Sequence, residues 1–129
     1  MTDATLIREN LQNVHERIAD AALRAGRDPD VIQLVAVSKT FPVEAVLVAW
    51  ELGQRDFGEN RPREGARKVQ EVAAQLDLEA EARPTWHMIG HIQSRKTDLV
   101  AEHFDTVHSL DRMKIARRLS RLMVEVERE

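Results

Sequence analysis

Residues 34–60, "LVAVSKTFPVEAVLVAWELGQRDFGEN", contain a whole strand–helix–strand unit and decide the fold class. The run "VIQLVAV" over 31–37 is too short and too rich in β-branched residues for a helix, which predicts a strand. Ser38, Lys39 and Thr40 interrupt the apolar run, and Pro42 fits the first position of a helix that stops at Gly53. "QRDFGEN" then supplies a second short strand. A strand, a crossover helix and a second strand are the parts of a parallel pair.

Outward from this unit the alternation continues. On its N-terminal side, Ile7, Leu11, Val14, Ile18, Ala21, Ala22 and Ala25 recur at helical spacing and predict an amphipathic helix over 6–25. Gly26 and Pro29 provide its stop. On the C-terminal side the pattern predicts a helix over 62–78 and a strand in "PTWHMIG". A helix in "QSRKTDLVAEH", a strand in "FDTVHSL" and a last helix in "DRMKIARRLSRLMVEVE" follow. On that last helix Ile115, Leu119, Leu122 and Val126 share one stripe, and Trp50 and Phe41 are expected in the helix–sheet core. The expected organisation is one domain over 1–129, with an N-terminal helix in 1–28 and four β/α units in 31–129. A doubly wound open sheet and a (β/α)8 barrel both accept this order. The five glycines nowhere form a dinucleotide fingerprint, and there is no P-loop. A complete barrel needs roughly 250 residues, so 129 residues correspond to half a barrel or a small open sheet.

Bulk properties exclude several classes. Charged residues make up 32% and hydrophobic ones 43%, as in ordinary globular proteins, and a net charge of −3 gives no general attraction to nucleic acid or anionic lipid. The chain has no cysteine, so disulfides and thiolate metal sites are absent. "MTDATLIREN" shows neither a basic nor an apolar signal region, and no run reaches the roughly 18 residues of a membrane span, so a cytoplasmic protein is expected.

In both architectures, sites form at the C-terminal ends of the strands. Those ends carry Ser38 and Lys39; Gly58, Glu59 and Asn60; His87 and Gly90; and His108 and Ser109. Lys39 shares a face with Val35 and Val37, which lays its stem along apolar surface. Desolvation favours a neutral amine, and a neutral amine attacks aldehydes. The alternative is a lysine that reaches past the strand end into water. Glu59–Asn60 reads either as a ligand-binding pair or as a polar cap on the next helix. His87 and His91 straddle a strand-to-loop junction, which argues against a metal pair. His15, His103 and His108 form no ligand-like cluster in sequence. The basic run Arg112, Lys114, Arg117, Arg118 and Arg121 reads as a solvated helix face, with few aromatics for bases to stack on.

Four motifs in register carry a resemblance: "LVAVSKT" at 34–40, "FGENR" with "EGARK" at 57–68, "WHMIGHIQSRK" at 86–96 and "FDTVHSLDR" at 104–112. Over nearly its whole length the chain resembles the pyridoxal-phosphate homeostasis protein family, also called the proline synthetase co-transcribed homologue. Its fold is the alanine-racemase N-terminal type of (β/α)8 barrel. The resemblance implies the first four β/α units of that barrel plus an N-terminal helix. It implies pyridoxal 5′-phosphate carried as an aldimine on Lys39, with Asn60, His87 and Ser109 lining the pocket, and no metal. It further implies a carrier and regulator of vitamin B6 and amino-acid pools without turnover. Members run to about twice this length, so the arginine facing the pyridine nitrogen and the phosphate loops would lie elsewhere. Open sheet edges then predict self-association. Two other readings stay open: a racemase-like enzyme of the same fold, against which the lack of tyrosine weighs, and a cofactor-free binding module.

Overall fold

The structure, a computed structural model, describes residues 3–76 and 82–126. Helix α1 (Ala4–Arg24) precedes the alternating units β1 (Ala36–Val37), α2 (Val43–Glu51), β2 (Asp56–Glu59), α3 (Pro62–Leu76), β3 (Thr85–Met88), α4 (Thr97–His103), β4 (Thr106–Val107) and α5 (Met113–Glu125). The strands form one parallel sheet in the order β1-β2-β3-β4. The sheet is open: among the described residues β1 and β4 each pair along one side only. No helix among these residues is long and apolar enough to cross a membrane.

Local chemistry explains the boundaries of α1. Asp3 accepts from the Leu6 amide at 3.1 Å and caps the helix start. At the other end Gly26 takes φ +69°, the Gly26 amide donates to Leu23 O at 3.1 Å, and the Arg27 amide donates to Ala22 O at 2.8 Å. That pair of bonds is a Schellman stop, as Gly26 and Pro29 predict.

Strand alternation sorts the sheet into two faces. Phe57, Glu59, Trp86 and Met88 point to the helices and are buried. With Val46, Val72, Ile92, Val100, Phe104 and Ile115 most of them form the core, and Phe57 and Trp86 pack with ring centroids 5.5 Å apart. Gly65 admits α3 to this core, since a Cβ there would lie 2.6 Å from Phe104 and 3.0 Å from Glu59 Cβ. The opposite face carries Val35, Asp56, Gly58, His87 and Ile89. A Cβ on Gly58 would meet Val35 at 3.2 Å and Ile89 at 3.3 Å, so its bareness lets its neighbours close over the strand.

Several expectations are corrected. The first strand is two residues long rather than 31–37: Asp28 and Pro29 wind Pro29–Val31 into a 3-10 turn, and the Gln54 side chain, not a ladder amide, takes the Leu34 carbonyl at 2.8 Å. Pro42 is the N-cap of α2, at φ −73° and ψ 163°, rather than its first residue. The helix expected over 93–103 divides into a 3-10 turn at Ser94–Lys96 and α4. The strand in "FDTVHSL" shortens to two paired residues at the sheet edge. Phe41 is exposed: the turn that closes from its amide to Ser38 O carries Thr40 at φ +67° and turns Phe41 outward. Trp50 does pack against the core, with the Arg55 guanidinium 3.8 Å above its ring. Val126 follows the end of α5 and is exposed, so the stripe ends earlier. Residues 77–78 of the expected third helix and residue 127 of the last lie outside the described residues.

Candidate functional site at the C-terminal strand ends

Beneath Lys39 lies a buried ionic knot. Lys68, from α3, donates to Glu59 Oε2 at 3.0 Å and to the Ser38 carbonyl at 2.6 Å, and the Ser38 hydroxyl donates to the same carboxylate. Glu59 is 1% exposed and Lys68 6%, so each charge depends on the other. The Ser38 amide also donates to Gly58 O at 2.9 Å. The residue directly before Lys39 is therefore held by backbone, hydroxyl and carbonyl at once. Glu59 is not the exposed helix cap that the sequence pattern also allows. Lys68 is assigned no role by sequence pattern, yet its signal is present: Gly65, Lys68 and Val72 fall on one buried stripe of α3.

Lys39 itself is exposed, so the burial expected along its stem is not found. Among the described residues no ion pair engages it. Its neighbour Thr40 sits in the left-handed region, a costly conformation for a β-branched residue.

The next two strand ends are clamped to each other and to the loop after β4. A Cβ on Gly90 would lie 2.0 Å from Asn60 O and 2.5 Å from Asn60 Oδ1, so the two loops touch through bare backbone. Ser109 donates its hydroxyl to Gly90 O at 2.5 Å. Asn60, Gly90 and Ser109 thus come together, with the Ser109 hydroxyl committed to the scaffold.

His87 sits lower, in a polar chain across the open face. Gln33 Nε2 donates to Asp56 Oδ1 at 2.5 Å, His87 Nε2 lies 2.9 Å from the same oxygen, and His87 Nδ1 lies 2.8 Å from His108 Nε2. His87 is buried and His108 exposed. His108, which belongs to no cluster in sequence, is part of one in space, and only the register of β3 and β4 creates it. Continuing backbone bonds, Ile89 N to Glu59 O at 3.0 Å and His108 N to Met88 O at 2.9 Å, align Asn60, Ile89 and His108 across the strand ends.

Arg63, Arg95 and Lys96 form a basic rim at the same end. Desolvation first, then the charges of Arg63 and Arg95, lowers the Lys96 pKa from the ordinary lysine value. Lys39 and this rim both follow the C-terminal ends of the strands. No group of three metal-ligating side chains occurs among the described residues. A cavity of about 440 Å³ lies at the opposite end of the strands, lined by Gln70, Arg83, Pro84, Glu102, His103 and Asp105, away from this chemistry.

No family model matches the chain. Curated proteins do. It is 49% identical over 114 residues to a pyridoxal phosphate homeostasis protein of Vibrio alginolyticus, covering 88% of this chain and 48% of that protein. The namesake of Pseudomonas aeruginosa is 53% identical over 114 residues, covering 88% and 46% respectively. Among solved structures, a protein of unknown function from Bifidobacterium adolescentis superposes with a TM-score of 0.88 at 31% identity, over 98% of this chain and 54% of that one. PipY of Synechococcus elongatus, solved with PLP bound, gives 0.65 at 41% identity, over 86% and 50%. The chain spans about half the length of the curated relatives it matches. It belongs to the pyridoxal phosphate homeostasis protein family.

Proposed function

We propose that the chain binds pyridoxal 5′-phosphate covalently through Lys39 Nζ, as the first four units of an alanine-racemase-type (β/α)8 barrel. The observation that carries this reading is the placement of Lys39. It is an exposed amine directly after a residue fixed at three points, at the end of the sheet that also holds Asn60, His108 and the basic rim. A family member of known structure binds the same cofactor. When bound, pyridoxal phosphate supplies an aldehyde on an electron-withdrawing ring. Lys39 condenses with that aldehyde and water leaves. Asn60 borders the ring, His87 supports the floor from behind, and Ser109 shapes the site through Gly90. Such a site stores and releases the cofactor, which suits a carrier in vitamin B6 and amino-acid homeostasis rather than an enzyme. Absorbance titration tests the assignment: the chain is expected to develop a cofactor band that is absent in Lys39→Ala. Equal bands in both proteins would refute it.

The free edges of β1 and β4 support a second copy of the chain as the partner that completes the strand set. Relatives of twice the length supply the same number of residues in one chain. Sedimentation velocity is expected to show a dimer that dissociates on dilution. A monomer at every concentration would contradict this.

A further inference from the structure

The polar chain on the open face has a definite proton inventory. Asp56 Oδ1 accepts from the Gln33 amide, and a carboxylate has no proton to give, so the bond at 2.9 Å requires hydrogen on His87 Nε2. His87 Nδ1 and His108 Nε2 are 2.8 Å apart and have room for one hydrogen between them. With both rings neutral, His87 Nδ1 is the acceptor and His108 Nε2 the donor. His108 Nδ1 is then a bare acceptor on an exposed ring. One further proton converts His108 Nδ1 into a donor and leaves every bond of the chain intact. A second would set two N–H groups against each other at 2.8 Å and break the link between β3 and β4. The pair therefore accommodates one excess proton.

His108 is aligned in register with Ile89 and Asn60, in the layer of strand-end residues to which Lys39 also belongs. The other charged groups at this end are Lys39 and Glu44 after β1, and Arg61, Arg63 and Glu64 after β2. After β3 come His91, Arg95, Lys96 and Asp98, and after β4 Asp111, Arg112 and Lys114. His91 and Asp111 lie 3.8 Å apart, and Arg112 is bound to Asp111 and to Ile92 O. The balance is positive and suits an anionic ligand. A fully ionised oxyanion has no hydrogen to offer a bare imidazole nitrogen, but it accepts one from a protonated ring.

We infer that His108, backed by His87, Asp56 and Gln33, is a proton-linked ligand contact, whose Nδ1 binds an anionic oxygen of pyridoxal phosphate as the histidine pair takes up one proton. The inference rests on the pyridoxal phosphate reading above and adds a residue and a stoichiometry to it. His87 and Asp56 are positioning residues here, because they act through His108.

Calorimetric titration with pyridoxal 5′-phosphate in two buffers of different ionisation heat, near pH 6, tests it. Wild-type chain is expected to take up more protons per ligand than His108→Gln, with one as the upper limit that the 2.8 Å contact sets. Its affinity should rise by up to about tenfold per pH unit more steeply on acidification, as linkage to one proton requires. Equal uptake in the two proteins overturns the inference. A ligand-free measurement separates its failure from that of the cofactor reading. In ¹⁵N spectra of the histidine rings, His87 and His108 are expected to respond together to a single shared proton. Independent titration of the two rings in the wild-type chain overturns the inference, whereas failure to bind pyridoxal phosphate overturns the reading of Lys39.

Discussion

Lys68→Met is expected to cost about 3–5 kcal/mol of folding stability, the loss that follows removal of one partner from a buried ion pair. The reason lies in what remains. Glu59 is 1% exposed, and without the ammonium its carboxylate keeps only the Ser38 hydroxyl as a donor. The Ser38 carbonyl loses its 2.6 Å bond at the same time. Denaturant unfolding should show a large fall in midpoint with little change in slope. Adding Glu59→Leu to Lys68→Met should recover part of the loss, because an apolar pair removes the stranded charge and leaves only Ser38 short of partners. A change under about 1 kcal/mol for Lys68→Met would mean that the ion pair is solvated and that Ser38 is held by other means.

Gly90→Ala is the second large effect, expected at about 3 kcal/mol, the upper part of the range for overpacking. Its Cβ would lie 2.0 Å from Asn60 O, which is backbone and has no rotamer to escape into. The loops after β2 and β3 must part, and Ser109, bonded to Gly90 O, moves with them. The substitution should therefore weaken cofactor labelling as well as stability. Gly26→Ala is the control. Gly26 has φ +69° but nothing within 4 Å of a Cβ. Only backbone strain of about 1–2 kcal/mol therefore applies, and labelling should persist. Equal losses in the two variants would show that close packing at Gly90 has no special part in the site.

These residues mark how far the sequence could be read. Helix α1 was legible apart from its start, which lies two residues earlier than expected at the Asp3 cap, because its signals are local: apolar spacing, then Gly26 and Pro29. The strand–helix alternation was legible for the same reason, since burial of a parallel sheet writes itself as short apolar runs with polar ends. The Lys68–Glu59 pair was not. A lysine at that position reads as one more surface charge until packing sets α3 against β2, where Gly65 permits close approach. His87 and His108 are 21 positions apart and meet only through the register of β3 and β4. The first strand was overread because apolar content says nothing of ladder bonds, and Gln54 takes the carbonyl that a longer strand would have offered to a neighbour.

Covalent capture at Lys39 tests the central claim most directly. The chain would be incubated with pyridoxal 5′-phosphate, reduced with borohydride and digested, and the modified peptide mapped by mass. One adduct per chain on Lys39, lost in Lys39→Ala, is the result expected from an amine presented by the fixed Ser38. Sparse labelling spread over Lys39, Lys96 and Lys114 alike would contradict it.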